Sequence, residues 1–128
     1  MIILGIDFGL SKVGVAISNS KIAEPIFVIK NKTQEKLIDE IKTTCQREKV
    51  EKIVVGVSEG KTAELTREFI SELKKGIHIP VIEFDETLST YDAQRLGIES
   101  GMKRTKRKKM EDAMAAAVML QDYIDSNL

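Results

Sequence analysis

Residues 1–18, MIILGIDFGLSKVGVAIS, hold two apolar runs around a short polar segment that contains glycine. The first run, Met1–Ile6, is apolar on both faces, as in a strand buried in the middle of a sheet. The second alternates Val13, Val15 and Ile17 with Gly14, Ala16 and Ser18. That period of two suits a strand with one face on a core. Between the runs, Phe8-Gly9 permits a close turn, and Gly14 permits a close backbone approach. The stretch therefore predicts a hairpin whose first strand closes on a single carboxylate, Asp7. An acid at the end of a buried strand is costly unless it is paired or bound to a cation. A turn aspartate exposed to water is the bland alternative, and further acids arriving at the same place favour the functional reading.

Beyond the hairpin, Glu24-Pro25 leads into a short third strand, Ile26–Ile29, entered through proline. Asn31–Thr33 reads as a turn and N-cap. From Gln34 to about Lys49, Leu37, Ile38, Ile41 and Cys45 recur at helical spacing. Lys52–Val57 is a continuous apolar run and predicts a buried fourth strand. A loop over 58–61 and a helix over 62–75 follow, with Leu65, Phe69, Ile70 and Leu73 inward and Gly76 as its cap. Pro80–Asp85 predicts a fifth strand ending at Glu86. Ser89 and Asp92 stand in capping-box spacing ahead of a helix to about Ser100, stopped by Gly101. A basic run comes next, and a last helix is expected from about Lys109 to Ser126.

Three strands joined by short turns, then strands alternating with helices, make an α/β pattern. The expected architecture is a five-stranded mixed sheet, three antiparallel strands followed by two parallel ones, with helices on both faces. The 128 residues suit one domain over 1–128, with 42% hydrophobic and 31% charged residues arguing against disorder. No run reaches membrane-span length, and the start lacks the pattern of a signal peptide, so no membrane partner and a cytoplasmic location are expected. Cys45 is alone, which excludes a disulfide framework and a cysteine zinc site.

The formal net charge is zero, yet Lys103, Arg104, Lys106, Arg107, Lys108 and Lys109 crowd six basic residues into seven positions. The 14 basic residues elsewhere face 20 acidic ones. A basic patch on an otherwise acidic domain is a signal for an anionic partner. With Lys12 and Lys61, these residues are the candidates for holding nucleic acid.

In parallel α/β sheets, sites lie beyond the carboxyl ends of the strands. Asp7 ends the first strand there, and Asp85-Glu86 ends the fifth. On the last helix Asp112, Ala116, Leu120 and Ile124 recur every four residues, so Asp112 opens the apolar stripe. Glu111 falls in line with Ala115 and Asp122, expected to be a more exposed track. The alanines at 113 and 115–117 let that helix lie close to the sheet, bringing Asp112 toward Asp7 and Glu86. Three carboxylates repel one another unless a cation intervenes, and Mg²⁺ or Mn²⁺ prefers such oxygen ligands. Two ions clamping a phosphodiester is a recurrent arrangement for cutting nucleic acid, with the basic run gripping the backbone.

The segments GIDFGLSKVGVAIS, IVVGV, DETLST and KRKKMEDAMAAAVMLQDYI resemble the YqgF (RuvX) family of Holliday-junction-resolvase-like nucleases, in the right order over nearly the whole chain. The resemblance implies a ribonuclease H-like fold, an endonuclease site of Asp7, Glu86 and Asp112, and trimming of the precursor of 16S ribosomal RNA. Branched DNA is the other substrate it suggests, acted on by a monomer or weak homodimer. Three departures stand out. Thr87 replaces the family's usual arginine after the second acid, the loop from Gly56 to Thr62 is shortened, and Leu10-Ser11-Lys12 replaces Thr-Lys-Arg.

Competing readings are weaker. Gly56–Thr62 looks like a phosphate-binding loop, but three residues separate its glycines where four are needed, and it follows the fourth strand rather than the first. Gly5–Gly9 resembles the first phosphate loop of sugar kinases and actin-like ATPases, which close two such domains on a nucleotide. A non-catalytic nucleic-acid-binding module of the same fold is the remaining alternative. The acids at 7, 86 and 112 speak against it.

Overall fold

In the structure, a computed structural model, residues 1–19, 21–57, 60–85 and 104–127 are described. The opening stretch forms β1 (Ile3–Asp7) and β2 (Lys12–Ser18), paired antiparallel, with β3 (Ala23–Lys30) antiparallel to β2. Helix α1 (Gln34–Glu48) leads to β4 (Lys52–Val57), and α2 (Lys61–Gly76) leads to β5 (Val81–Asp85). β4 lies parallel to β1, and β5 parallel to β4, giving the order β3-β2-β1-β4-β5. This is the expected mixed sheet. The final helix, α3 (Arg104–Ser126), completes the described elements.

Alternation along the strands divides the core in two. Leu4, Ile6, Val13, Val15, Ile53 and Val55 pack with Leu37 and Ile41 of α1 and with Phe69 and Leu73 of α2. Ile3, Ala16 and Val54 face the other way and pack with Ala116, Leu120, Tyr123 and Ile124 of α3. The central strand β1 is therefore buried on both faces, which is why its sequence shows no polar alternation.

Several local features follow from the chain's chemistry. β3 is longer than its apolar run and contains Pro25. It tolerates proline because it is an edge strand and because its register shifts beside Val15 and Ala16, where Phe27 and Pro25 are the partners. Thr33 caps α1 by accepting a hydrogen bond from the Lys36 N–H at 3.2 Å.

Expectations for the helices need correction. Gly76 is the last residue of α2, and Ile77, with extended backbone, is its cap. Leu65 is 39% exposed, while Ala63 and Thr66 occupy the inward positions of α2. The Thr66 hydroxyl donates to the Thr62 carbonyl at 2.8 Å, so a polar residue fits inside and the hydrophobic period misleads. The last helix begins by Arg104, not near Lys109. Lysine and arginine are good helix formers, and the basic run lies on its first turns rather than in a preceding loop. The helix expected up to Ser100 falls outside the described residues. Among those described, no helix is long and apolar enough to cross a membrane.

Candidate active site

The carboxyl ends of β1, β4 and β5 lie at one edge of the sheet, because these strands are parallel. β2 runs the other way and starts at that edge with Lys12. Asp7, Val57 and Asp85 are the strand-end residues. Asp7 pairs with Gly14 on one side and Gly56 on the other. Paired residues share a face of the sheet, so the half-buried Asp7 carboxylate is flanked by two positions without side chains. By alternation it stands on the face of Ile3 and Gly5, the face covered by α3.

Helix α3 meets the sheet at the same point. A Cβ on Gly14 would overlap the carbonyl group of Asp112 and the amide nitrogen of Ala113. The helix backbone thus rests directly on the cross-strand partner of Asp7. Lower down, a Cβ on Gly5 would come within 2.9 Å of the Leu120 Cβ. Small residues on both surfaces allow this approach, as the alanine-rich stripe anticipates.

Asp112 is half-buried, and its pKa is raised. Loss of hydration is the largest cause, the positive charge of Lys12 opposes it, and the neighbouring charge of Glu111 adds to it. A carboxylate poorly compensated by water, on a helix whose backbone rests on the cross-strand partner of Asp7, is suited to a cation. Its all-oxygen character fits a hard divalent ion. Among the described residues no group of three His, Cys, Asp or Glu side chains forms a metal cluster. Glu86, the expected third acid, immediately follows β5 in sequence and lies outside the described residues, as does Lys103.

The exposed track expected for Glu111 is observed only at Asp122, which is exposed. Glu111 is half-buried, and Ala115 in line with it is buried beside Met114, with Met110 and Val118 packed against the pair. The helix is apolar around more of its circumference than a single stripe, and the four-residue spacing did not reveal this. Asp85 is exposed and pairs with Val57, which belongs to the opposite core, so it does not share Asp7's face.

Among the cation candidates, Lys12 starts β2 at this edge. Lys12 is exposed and close enough to Asp112 to lower its pKa. Lys61 opens α2, and Arg104, Lys106, Arg107 and Lys108 lie on the first turns of α3. Lys109, one turn before Asp112 and Ala113, is exposed. One residue that sequence reading missed is Asn31. Its side-chain Nδ2 donates to the Gly9 carbonyl at 2.9 Å and its backbone N–H to the Ser11 carbonyl at 2.8 Å, bracing the turn after Asp7. The sequence marks Asn31 only as a turn residue, and nothing local signals a bond across 22 positions.

The sequence pattern of the family described as "RuvX: Holliday junction resolvase" matches residues 1–126. The chain belongs to the RuvX family. A relative from Halothermothrix orenii, named "Putative pre-16S rRNA nuclease", is 41% identical, covering 98% of this chain and 95% of its own. The fold is that of ribonuclease H-like resolvases. The fowlpox virus Holliday junction resolvase structure superposes with a TM-score of 0.69 and 18% identity over 100% of both chains. T. thermophilus RuvC in complex with Holliday junction substrate gives a TM-score of 0.65 and 16% identity, covering 98% of this chain and 96% of that one. As a RuvX protein the chain is a nuclease, a phosphodiester hydrolase acting on nucleic acid. Nucleases of this resolvase-like kind generally use divalent metal ions.

Proposed function

We propose that this RuvX nuclease cuts structured RNA at the 5′ end of the 16S ribosomal RNA precursor, in the cytoplasm, with Asp7, Glu86 and Asp112 holding two Mg²⁺ or Mn²⁺ ions. The observation that carries the site is the seating of Asp112's backbone on Gly14, the cross-strand partner of Asp7. The substrate is carried by the names of relatives such as the Halothermothrix orenii protein. The ions, when bound, supply charge stabilisation to the phosphodiester and an activated water.

The chain's own residues do the rest. Asp7 and Asp112 fix the position of the cleavage centre through two elements whose spacing is set by backbone contact at Gly14. Lys12 sits beside Asp112 and offers a positive charge to a neighbouring phosphate. Arg104, Lys106, Arg107, Lys108 and Lys109 grip the backbone of the nucleic acid along the first turns of α3, with Lys61 adding a cation at the start of α2. Cations there oppose the helix dipole. A bound phosphate relieves that conflict.

Glu111 and Asp112 are adjacent acids, and a one-residue step turns a helix by about 100°. Asp112 is the ligand in this account because its backbone is the one seated on Gly14. Asp112→Asn should therefore eliminate metal-dependent cleavage, while Glu111→Gln should keep it within a few-fold. The opposite pattern would reject the assignment.

A further inference from the structure

Leu10, in the turn between β1 and β2, is 64% exposed. A single apolar residue in water is ordinary; what separates Leu10 from the other exposed large apolar residues is the turn that carries it. Met1 is the first residue, Ile22 lies beyond β2 at the opposite edge of the sheet, and Leu65 is on α2. The turn of Leu10 begins one residue after Asp7 and ends at Lys12, whose charge reaches Asp112.

That turn is held at several points. Asn31 bonds the carbonyls on both sides of Leu10, Gly9 at 2.9 Å through its side chain and Ser11 at 2.8 Å through its backbone. Phe8 is anchored beneath by a stacked contact with Phe69, ring centroids 4.8 Å apart. Gly9 lies so close to the Lys12 carbonyl that any Cβ there would overlap it. A leucine on a loose loop could fold back onto the core. Here the neighbouring carbonyls are tied, and the side chain is kept in water at the border of the cleavage site. Little ordering entropy is left to lose when it meets a partner.

Leucine has no hydrogen-bonding group, so it cannot read the polar edge of a paired base. Apolar side chains beside a nucleic-acid backbone contact base faces, and these are open only where a base is unstacked. We propose that the braced turn is a specificity element, with Leu10 packing on an unstacked base next to the phosphodiester to be cut and Asn31 as the positioning residue that holds it there. The proposal rests on the nuclease reading above. It assigns to Leu10 the contact that favours an unpaired or branch-point base near the cleavage site over continuous duplex.

The test is binding in EDTA, which prevents cleavage, to two RNA probes carrying 2-aminopurine. One has the fluorophore at an unpaired branch-point position and the other has it inside a fully paired duplex. The native protein should brighten the branched probe, as the base leaves its stack, and leave the duplex probe nearly unchanged. Leu10→Ala and the polar, similar-sized Leu10→Gln should reduce that brightening. They should weaken affinity for the branched probe roughly five- to tenfold, the loss expected if about half of the removed hydrocarbon leaves water on binding. Duplex affinity and melting temperature should stay as in the native protein. Asn31→Ala should mimic the Leu10 variants on the branched probe, and adding it to Leu10→Ala should weaken binding no further. Equal binding of both probes by native protein and Leu10 variants, or an equal loss on both, would overturn the proposal while leaving the nuclease reading intact. Failure of the native protein to bind either probe would overturn the proposal, and absence of cleavage with Mn²⁺ as well would overturn the nuclease reading.

Discussion

Gly14→Ala is the sharpest structural perturbation of the site. The added Cβ would overlap the carbonyl carbon and oxygen of Asp112 and the nitrogen of Ala113, all of them helix backbone. No side-chain rotation can relieve that clash, so α3 must retreat by on the order of an ångström to restore an ordinary contact. Overpacking of this kind costs about 1–3 kcal/mol, and a clash with backbone on both sides belongs at the upper end. For a chain of this size each kcal/mol lowers the melting temperature by roughly 3–5 °C, so a fall of roughly 9–15 °C is expected. Displacing a catalytic carboxylate by about 1 Å also costs on the order of a hundredfold in rate. Calorimetric melting and cleavage by the folded variant at low temperature measure the two effects separately. A variant that melts with the native protein and cleaves at the native rate would refute the close approach of α3 to β2, and the site built on it.

Other outcomes are expected from separate features. In chelator, where no ion compensates the acids, Asp112 has a pKa raised above its ordinary 3.8. The folded state then holds that proton at pH values where the unfolded state has lost it, so stability is highest below 3.8, falls as pH rises through the raised value, and at neutral pH is lower by the cost of keeping the charge half-buried. Asp112→Asn should accordingly raise the melting temperature at pH 7 and not at pH 3; equal effects at both would show that desolvation is not the cause. Neutralising Lys106, Arg107, Lys108 and Lys109 together should flatten the salt dependence of nucleic-acid binding, each lost phosphate contact lowering the log–log slope by about one, and an unchanged slope would make the run a solvated face. Lys49 closes α1 in the left-handed conformation, with φ 56°. Lys49→Gly should stabilise the protein by about 0.5–1 kcal/mol in thermal melts, and a loss of stability would contradict the cap.

Much of this molecule could be read from its residues. The apolar run before Asp7 and the alternation after it specify the hairpin, because burial on two faces or on one leaves different periods. The order of strands and helices then leaves few ways to arrange the sheet. The close seating of α3 on the sheet at Asp112 is legible because the alanine spacing and the acid share one helical stripe. What could not be read depends on contacts between distant segments. Asn31 matters through carbonyls on another turn, and Thr66 is inside because its hydroxyl is satisfied by its own helix. Periodicity places Leu65 inside for the same reason, since it counts apolarity and not hydrogen bonds. The four-residue period places Glu111 in water because it marks a single apolar stripe, whereas Met114 and Ala115 bury a second flank of α3.

Asp7 stands at the heart of the proposed metal-dependent cleavage centre. Its most direct test is cleavage of a 5′-extended 16S ribosomal RNA precursor fragment by the purified native protein and by Asp7→Asn, with Mn²⁺ and with EDTA. The native protein should shorten the 5′ end only with Mn²⁺, and Asp7→Asn, still folded, should not. Native-level cleavage by Asp7→Asn would contradict the account.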